Sequence, residues 1–206
     1  MPQLYVSNKD ESARMFQSDL LEVLTRVHPA VPHMIFLPVI GFMVYQSIQV
    51  AIGLAIFLFF FGWWIWSLTE YTIHRFVFHF EPKNGWQQKV HFIIHGVHHD
   101  YPNDTRRLVM PPVVSIPLAL LFYGVFSIIF GSHYLPPFFA GFLFGYIVYD
   151  TTHYAIHHFR LSGKIGLYLR QRHLRHHYVE PDYSFGISLP LWDFVFGTLR
   201  RRNSPR

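Results

Sequence analysis

"LVMPPVVSIPLALLFYGVFSIIFGSHYLPPFFAGFLFGYIVY", residues 108–149, contains no Asp, Glu, Lys or Arg. A second uncharged window fills residues 27–69, between Arg26 and Glu70. The windows are 42 and 43 residues long, and a helix needs about 20 apolar residues to cross a bilayer. Each therefore accommodates two spans and a tight turn, at "YQSIQ" (45–49) and "GSHYLPP" (131–137). The expected spans are about 31–46, 50–69, 112–130 and 137–152. The competing reading is a buried soluble bundle, but two uncharged windows of this length are hard to place in water.

All 17 Lys and Arg lie outside the windows, in residues 1–26, 75–107 and 160–206, and both turns are uncharged. Four spans put those three segments on one side, and the positive-inside rule makes that side cytosolic. This asymmetry also explains the net charge of +5 and pI of about 9.5, and no nucleic-acid motif accompanies it. No charged-then-apolar signal layout opens the sequence. In "MFQSDLLEVLTRV" (15–27), Phe16, Leu20, Leu24 and Val27 recur near helical spacing. Residues 1–30 are therefore expected to carry an amphipathic helix on the membrane surface, with a partner-binding or frayed segment as the alternative. Residues 31–206 form the membrane-embedded domain. The chain has no cysteine, which excludes disulfides, Cys-ligated iron–sulfur clusters and thioether-attached haem.

Histidine carries the remaining signal. H-x-x-H-H is spelled twice, in "VHFIIHGVHHDYPND" (90–104) and "RQRHLRHHYVEPD" (170–182). An offset of 78 residues carries His95, His98 and His99 onto His173, His176 and His177, and His79 onto His157. His74 falls one short of His153. The first apolar window falls on the second, so each half reads as a hairpin, an acidic residue, a histidine pair and H-x-x-H-H. A duplicated unit is the simplest account.

Imidazole suits zinc, copper, iron and nickel. Residues three and four apart share a helix face, so one turn of H-x-x-H-H offers three nitrogens, and His153 and His157 also share a face. His74 and His79 are about 140° apart on a regular helix. They serve two different metals, or the helix is distorted there. Ten histidines exceed the four to six ligands of one ion, whereas two ions at four or five each use them up. Glu70 and Asp150 precede the paired histidines and are candidates to orient metal-bound imidazoles. His91 and His158 stand beside the clusters and are expected to support the metals without binding them. His28, His33 and His133 read as turn or interfacial residues. The spans carry no ionisable residue at mid-membrane, which argues against the non-enzyme alternative, a metal-binding transporter or sensor.

The stretches "EYTIHRFVFH" (70–79), "HFIIHGVHHDYPNDTRRLVMPP" (91–112), "YDTTHYAIHH" (149–158) and "RHLRHHYVEPDYSFGISLPLWDFVFGT" (172–198) resemble the integral-membrane fatty acid hydroxylase/sterol desaturase superfamily, and within it the fatty acid 2-hydroxylases. The resemblance implies an all-α membrane protein, with four spans in two hairpins under a cytosolic helical cap. It implies two iron ions held by His74, His79, His95, His98, His99, His153, His157, His173, His176 and His177, with O2 as co-substrate. No catalytic residue is expected outside these ligands. The implied reaction is hydroxylation at the 2-position of a fatty acid or a sphingolipid N-acyl chain. Zinc can replace iron on purification, but breaking an unactivated C–H bond is redox-metal chemistry. A sterol or acyl desaturase, a methyl oxidase and a carotenoid hydroxylase are alternatives on the same scaffold.

Many family members carry an N-terminal haem-binding donor domain, whereas about 30 residues precede the first span here. No Gly-rich dinucleotide fingerprint is present. The expected electron donor is thus a separate b-type cytochrome or ferredoxin with its reductase, and a bacterial inner membrane is favoured over the endoplasmic reticulum. Arg75, Arg106 and Arg107 are expected to hold a carboxylate or headgroup, or to anchor the chain to anionic lipid. "PDYSFGIS" and "WDFVFGT" are expected to pack the cap or line a lipid channel.

Overall fold

The computed structural model describes residues 5–199; the extreme ends of the expected segments 1–30 and 31–206 lie outside them. Among the described residues all regular structure is helical. The helices are α1 (Asp19–Leu24), α2 (Val31–Gln46), α3 (Ile52–Thr72), α4 (Gly85–His91), α5 (Val97–Asp100), α6 (Pro112–His158), α7 (Gly163–Tyr178) and α8 (Leu191–Val195). Three helical stretches, Val31–Gln49, Ile52–Phe78 and Pro112–His158, are long and apolar enough to cross a membrane.

The third stretch has 47 residues, about 70 Å if straight. It is not straight. Gly131 has φ 64° and ψ 172°, a conformation that only glycine adopts at little cost. Rings on either side of the break then meet. Phe130 and Phe138 stack at 4.1 Å, and Phe122 lies 5.0 Å from Phe142. In one continuous helix Phe122 and Phe142 would be about 30 Å apart. α6 is therefore an antiparallel hairpin with arms 112–130 and 132–158, broken inside the expected "GSHYLPP" turn.

The second arm packs on α3 at backbone contact distance. A Cβ on Gly62 would lie 1.9 Å from the Phe138 carbonyl oxygen, and one on Gly141 would lie 1.8 Å from that of Phe59. Around this crossing Phe36, Trp66, Phe139, Phe142 and Tyr146 form the core. Outward-facing side chains are also large and apolar, with Ile128 86% and Ile52 77% exposed. A surface of that kind suits lipid and not water, so the soluble-bundle reading does not fit.

α4, α5, α7 and α8 gather where α3 and the second arm of α6 end. The N-terminal segment carries a short helix within the expected 15–27 stretch. α1 has six residues, and it turns Leu20, Leu21, Val23 and Leu24 outward while burying Glu22. The cause is an ion-pair network: Glu22 meets Arg107 and Arg26, and accepts from the backbone N–H of Met15 and Phe16 at 3.0 and 3.1 Å. Residues 6–12 form a strap. The backbone N–H of Val6 and of Ser7 donates to the Asp100 carbonyl, Asp10 accepts from Thr105, and Ser12 donates to Asp104 at 2.6 Å. Arg107 is buried against Glu22 and Thr25, so it is committed to the fold and does not face a lipid headgroup.

Candidate metal centre

α3 runs into a wider turn at Ile73–Phe78, where the His79 N–H donates to the His74 carbonyl five residues back at 3.1 Å. Such i→i+5 turns recur at functional sites. The wider turn resolves the open question about this pair. His74 and His79 cannot share a face of a regular helix, but here their rings lie 5.0 Å apart on one side. A second wide turn, Phe92–Gly96, carries His95 and leads into α5, which bears His98 and His99. His153 and His157 come from the last turns of α6, and His173, His176 and His177 from the last turns of α7.

The ten histidines form two groups of five, each with ring nitrogens within 4.8 Å of one another. One holds His74, His79, His95, His99 and His176; the other holds His98, His153, His157, His173 and His177. The sequence had suggested that each H-x-x-H-H gives three nitrogens to one place. The structure corrects this: the first and third histidines serve their own group and the middle one crosses to the other. Applying the 78-residue offset (79 for His74) turns one group into the other, with His98 and His176 exchanged.

Within each group the spacing suits a metal ion. The His95 Nε2 lies 3.2 Å from that of His74 and 3.1 Å from that of His99. The His173 Nε2, its counterpart, lies 2.9 Å from that of His157 and 3.0 Å from that of His177. A ring nitrogen carries one proton or one lone pair, so it cannot hydrogen-bond both neighbours. One metal ion would satisfy all of them, since nitrogens that ligate one ion lie about 3 Å apart. His98 Nε2 and His153 Nε2 are buried without a protein partner among the described residues, as expected of ligand atoms.

Electrostatics agree. Burial, reinforced by neighbouring imidazoles, holds His95, His98, His99, His173, His176 and His177 well below the usual imidazole range. Their rings are neutral at pH 7, with lone pairs free for a metal.

The other candidates are placed differently. The Glu70 Oε1 accepts from the backbone N–H of Ile187 (2.6 Å) and Ser188 (2.9 Å), and its Oε2 accepts from the Ser188 hydroxyl. Among the described residues it hydrogen-bonds no histidine and instead holds the loop whose Phe185 carbonyl accepts from His74 Nδ1 at 2.6 Å. Asp150 is buried beside Tyr146 and the Met110 backbone. His91 meets Phe80, and His158 stacks on Tyr154 at 4.4 Å; both lie outside the groups. Arg75 donates to the Tyr71 hydroxyl at 2.8 Å, one residue from His74. His33 bonds Thr151, and His28 accepts from the Ala30 N–H.

Two residues not singled out from the sequence, Tyr183 and Phe185, act through their backbone. "PDYSFGIS" had read as packing, but its Tyr183 carbonyl accepts from His176 Nδ1 at 2.8 Å, as Phe185 does from His74. "WDFVFGT" supplies Asp193, which is fully buried and accepts from the Phe185 and Gly186 N–H groups. Only the positions of Gly186 and Asp193 hinted at a built loop. Beside it, a cavity of about 370 Å³ opens between Tyr168, Arg172, Arg175, His176 and Tyr183.

Comparison with known proteins places this chain among relatives. The family described as Fatty acid hydroxylase matches residues 59–198. The Arabidopsis thaliana dihydroceramide fatty acyl 2-hydroxylase FAH1 is 40% identical over 199 residues, covering 95% of this chain and 84% of that protein. The human fatty acid 2-hydroxylase is 36% identical over 210 residues, covering 90% of this chain and 56% of that protein, so the chain spans about half its length. The solved structure described as full-length scs7p, with only the hydroxylase domain visible, superposes with a TM-score of 0.85 at 36% identity, over 91% of this chain and 72% of that one.

Proposed function

Because the chain belongs to the fatty acid hydroxylase family, we propose that it is a membrane monooxygenase that hydroxylates an acyl chain at its 2-position, either as a free acid or amide-linked in a sphingolipid. The observation that carries this reading is the pair of five-histidine groups at metal-ligand spacing. The first group holds one metal through His74, His79, His95, His99 and His176. The second holds another through His98, His153, His157, His173 and His177. When bound, two irons supply the redox chemistry by which O2 is reduced and a C–H bond hydroxylated, which zinc cannot do.

The chain's own residues fix, shield and aim. Buried neutral imidazoles present lone pairs without first losing protons, and the 183–188 loop orients two of them. Both groups sit where apolar helices end, so the centre lies at the membrane boundary. A lipid's polar head rests at that depth, with its second carbon a few bonds below. Mid-chain desaturation would instead require the tail to thread deep into the protein.

The reading extends to topology. α2, α3 and the two arms of α6 serve as four spans, and residues 31–206 form one domain with α4, α5, α7 and α8 as its cap. The cap, both termini and the metal centre face the cytosol, because every Lys and Arg lies on that side. Length does not separate a bacterial inner membrane from the endoplasmic reticulum, since the Arabidopsis relative is itself matched over 84% of its length. Electrons come from a separate b-type cytochrome or ferredoxin, drawn to the basic cap. Lipid analysis of cells with and without this chain tests the proposal: 2-hydroxy fatty acids should appear with it, whereas new double bonds or hydroxysterols would assign it to another activity.

A further inference from the structure

The two groups are related by the repeat but are not supported alike. In the first group, the Nδ1–H of His74 donates to the Phe185 carbonyl and that of His176 to the Tyr183 carbonyl. Both carbonyls belong to the loop after α7, and that loop is pinned from two sides. Asp193 accepts from the backbone N–H of Phe185 and Gly186, the Thr198 hydroxyl and the Arg172 guanidinium, all at 2.7–2.8 Å. Glu70 accepts from the backbone N–H of Ile187 and Ser188. A Cβ at Gly186 would lie 2.4 Å from the Leu189 carbonyl and 2.9 Å from the Asp193 carboxylate, so glycine is what lets the loop close on Asp193.

The counterpart loop of the first half meets Asp150 through the Met110 backbone, but among the described residues it makes no such bond to the second group. Nδ1 of His153, His157, His173 and His177 is buried and finds no protein acceptor among the described residues. The repeat explains the difference. Residues 101–107, which follow the first H-x-x-H-H, are engaged by the N-terminal strap, through Asn8 on Asn103, Asp10 on Thr105 and Ser12 on Asp104. Among the described residues, only the loop of the second half offers carbonyls to the imidazoles.

We propose that the 183–188 loop, held by Asp193 and Glu70, makes the two metal positions unequal: the His74/His176 group is the tight position and the His98/His153 group the exchangeable one. An acceptor on the far ring nitrogen fixes the tautomer, holds the ring in place and strengthens the ligand, and removing such a partner typically costs about 10–100-fold in metal affinity. The inference rests on each group holding one metal, but on no feature of the reaction.

The test uses purified full-length protein in detergent, loaded with Zn²⁺ alone and dialysed against graded EDTA, with residual zinc read by elemental analysis. Two release steps are expected, separated by about 10–100-fold in chelator. His177→Ala should abolish only the easily released equivalent, and His176→Ala only the tight one. Asp193→Asn should move the tight step down towards the weak one and leave the weak step in place. Ser188→Ala, which removes one donor to Glu70, should move it the same way by less, with melting temperature followed to exclude general unfolding. Release of both equivalents in one step, survival of the tight equivalent in His176→Ala, or an equal shift of both steps in Asp193→Asn would overturn the inequality. Failure to retain any zinc would instead overturn the reading of these groups as metal sites, and the inequality with it.

Discussion

The imidazoles of His99 and His177 stack at 4.2 Å with planes 22° apart, yet they belong to different metal-binding groups. They are counterparts under the 78-residue offset, so the two halves of the chain meet face to face at this pair. His98 and His176 each cross that contact to complete the other half's group. Neither half can build a five-nitrogen site alone, which ties the centre to the docking of both repeats.

The exchange predicts an unusual pattern of metal loss. His95 and His98 share one motif but should serve different metals, whereas His98 and His173 share a metal across 75 residues of sequence. Elemental analysis should therefore find about one equivalent in His98→Ala, still about one in the His98→Ala/His173→Ala double variant, and almost none in His95→Ala/His98→Ala, given one ion per imidazole group. His133→Ala should keep both. Retention of one equivalent by the His95/His98 double variant would contradict the exchange.

Acid should destabilise the metal-free protein. His95, His98, His99, His173, His176 and His177 have folded-state values held below the ordinary imidazole value of 6.5 by burial. Well above pH 6.5 both folded and unfolded rings are neutral, and stability does not depend on them. Below it the unfolded chain binds protons that the folded chain refuses, so stability falls as pH drops. The melting temperature of stripped protein should be flat from pH 8 to about 7 and decline below about 6.5. A rise on acidification would contradict buried neutral rings.

The helix crossing should not tolerate a methyl group. Gly62→Ala and Gly141→Ala each place a Cβ within 2 Å of a backbone oxygen, and relief by backbone shifts typically costs about 1–3 kcal/mol. Gly124→Ala, with nothing within 4 Å, should be neutral or slightly stabilising. Unfolding in detergent measures all three, and equal effects would show that the α3–α6 contact is looser than described.

Sidedness follows from the charges. Lys9→Cys, Lys83→Cys and Ser162→Cys should react with an impermeant thiol reagent from the cytosolic side, and Gln49→Cys and His133→Cys from the other. The native chain has no cysteine, so the background is clean. Labelling of Lys83→Cys together with Gln49→Cys from one side would refute the two-hairpin arrangement.

Much of this was legible before any coordinates. The uncharged windows marked the long apolar helices, because a bilayer excludes charge over a fixed length, and the repeated histidines marked the residues that cluster into two groups. The partition into groups was not legible. Adjacent residues point about 100° apart on a helix, so His98 and His99 must diverge, but where each arrives depends on how the two halves dock. The wide turn at Ile73–Phe78 was legible only as a conflict, since His74 and His79 could not share a face otherwise. The Tyr183 and Phe185 carbonyls were invisible, because backbone acceptors leave no mark on residue type. The burial of Glu22 was missed because periodicity counts apolar residues and does not foresee an Arg107 partner 85 positions away.

The central claim, that these two histidine groups hydroxylate an acyl chain next to its carboxyl carbon with oxygen from O2, is tested most directly by isotope. Membranes containing the chain and a competent b-type cytochrome or ferredoxin system are supplied with acyl substrate under ¹⁸O₂, and the hydrolysed fatty acids are fragmented in a mass spectrometer. The account predicts ¹⁸O on the second carbon of the acid, absent in His176→Ala. Hydroxyl oxygen drawn from water, oxidation at another carbon, or an unchanged product in His176→Ala would contradict it.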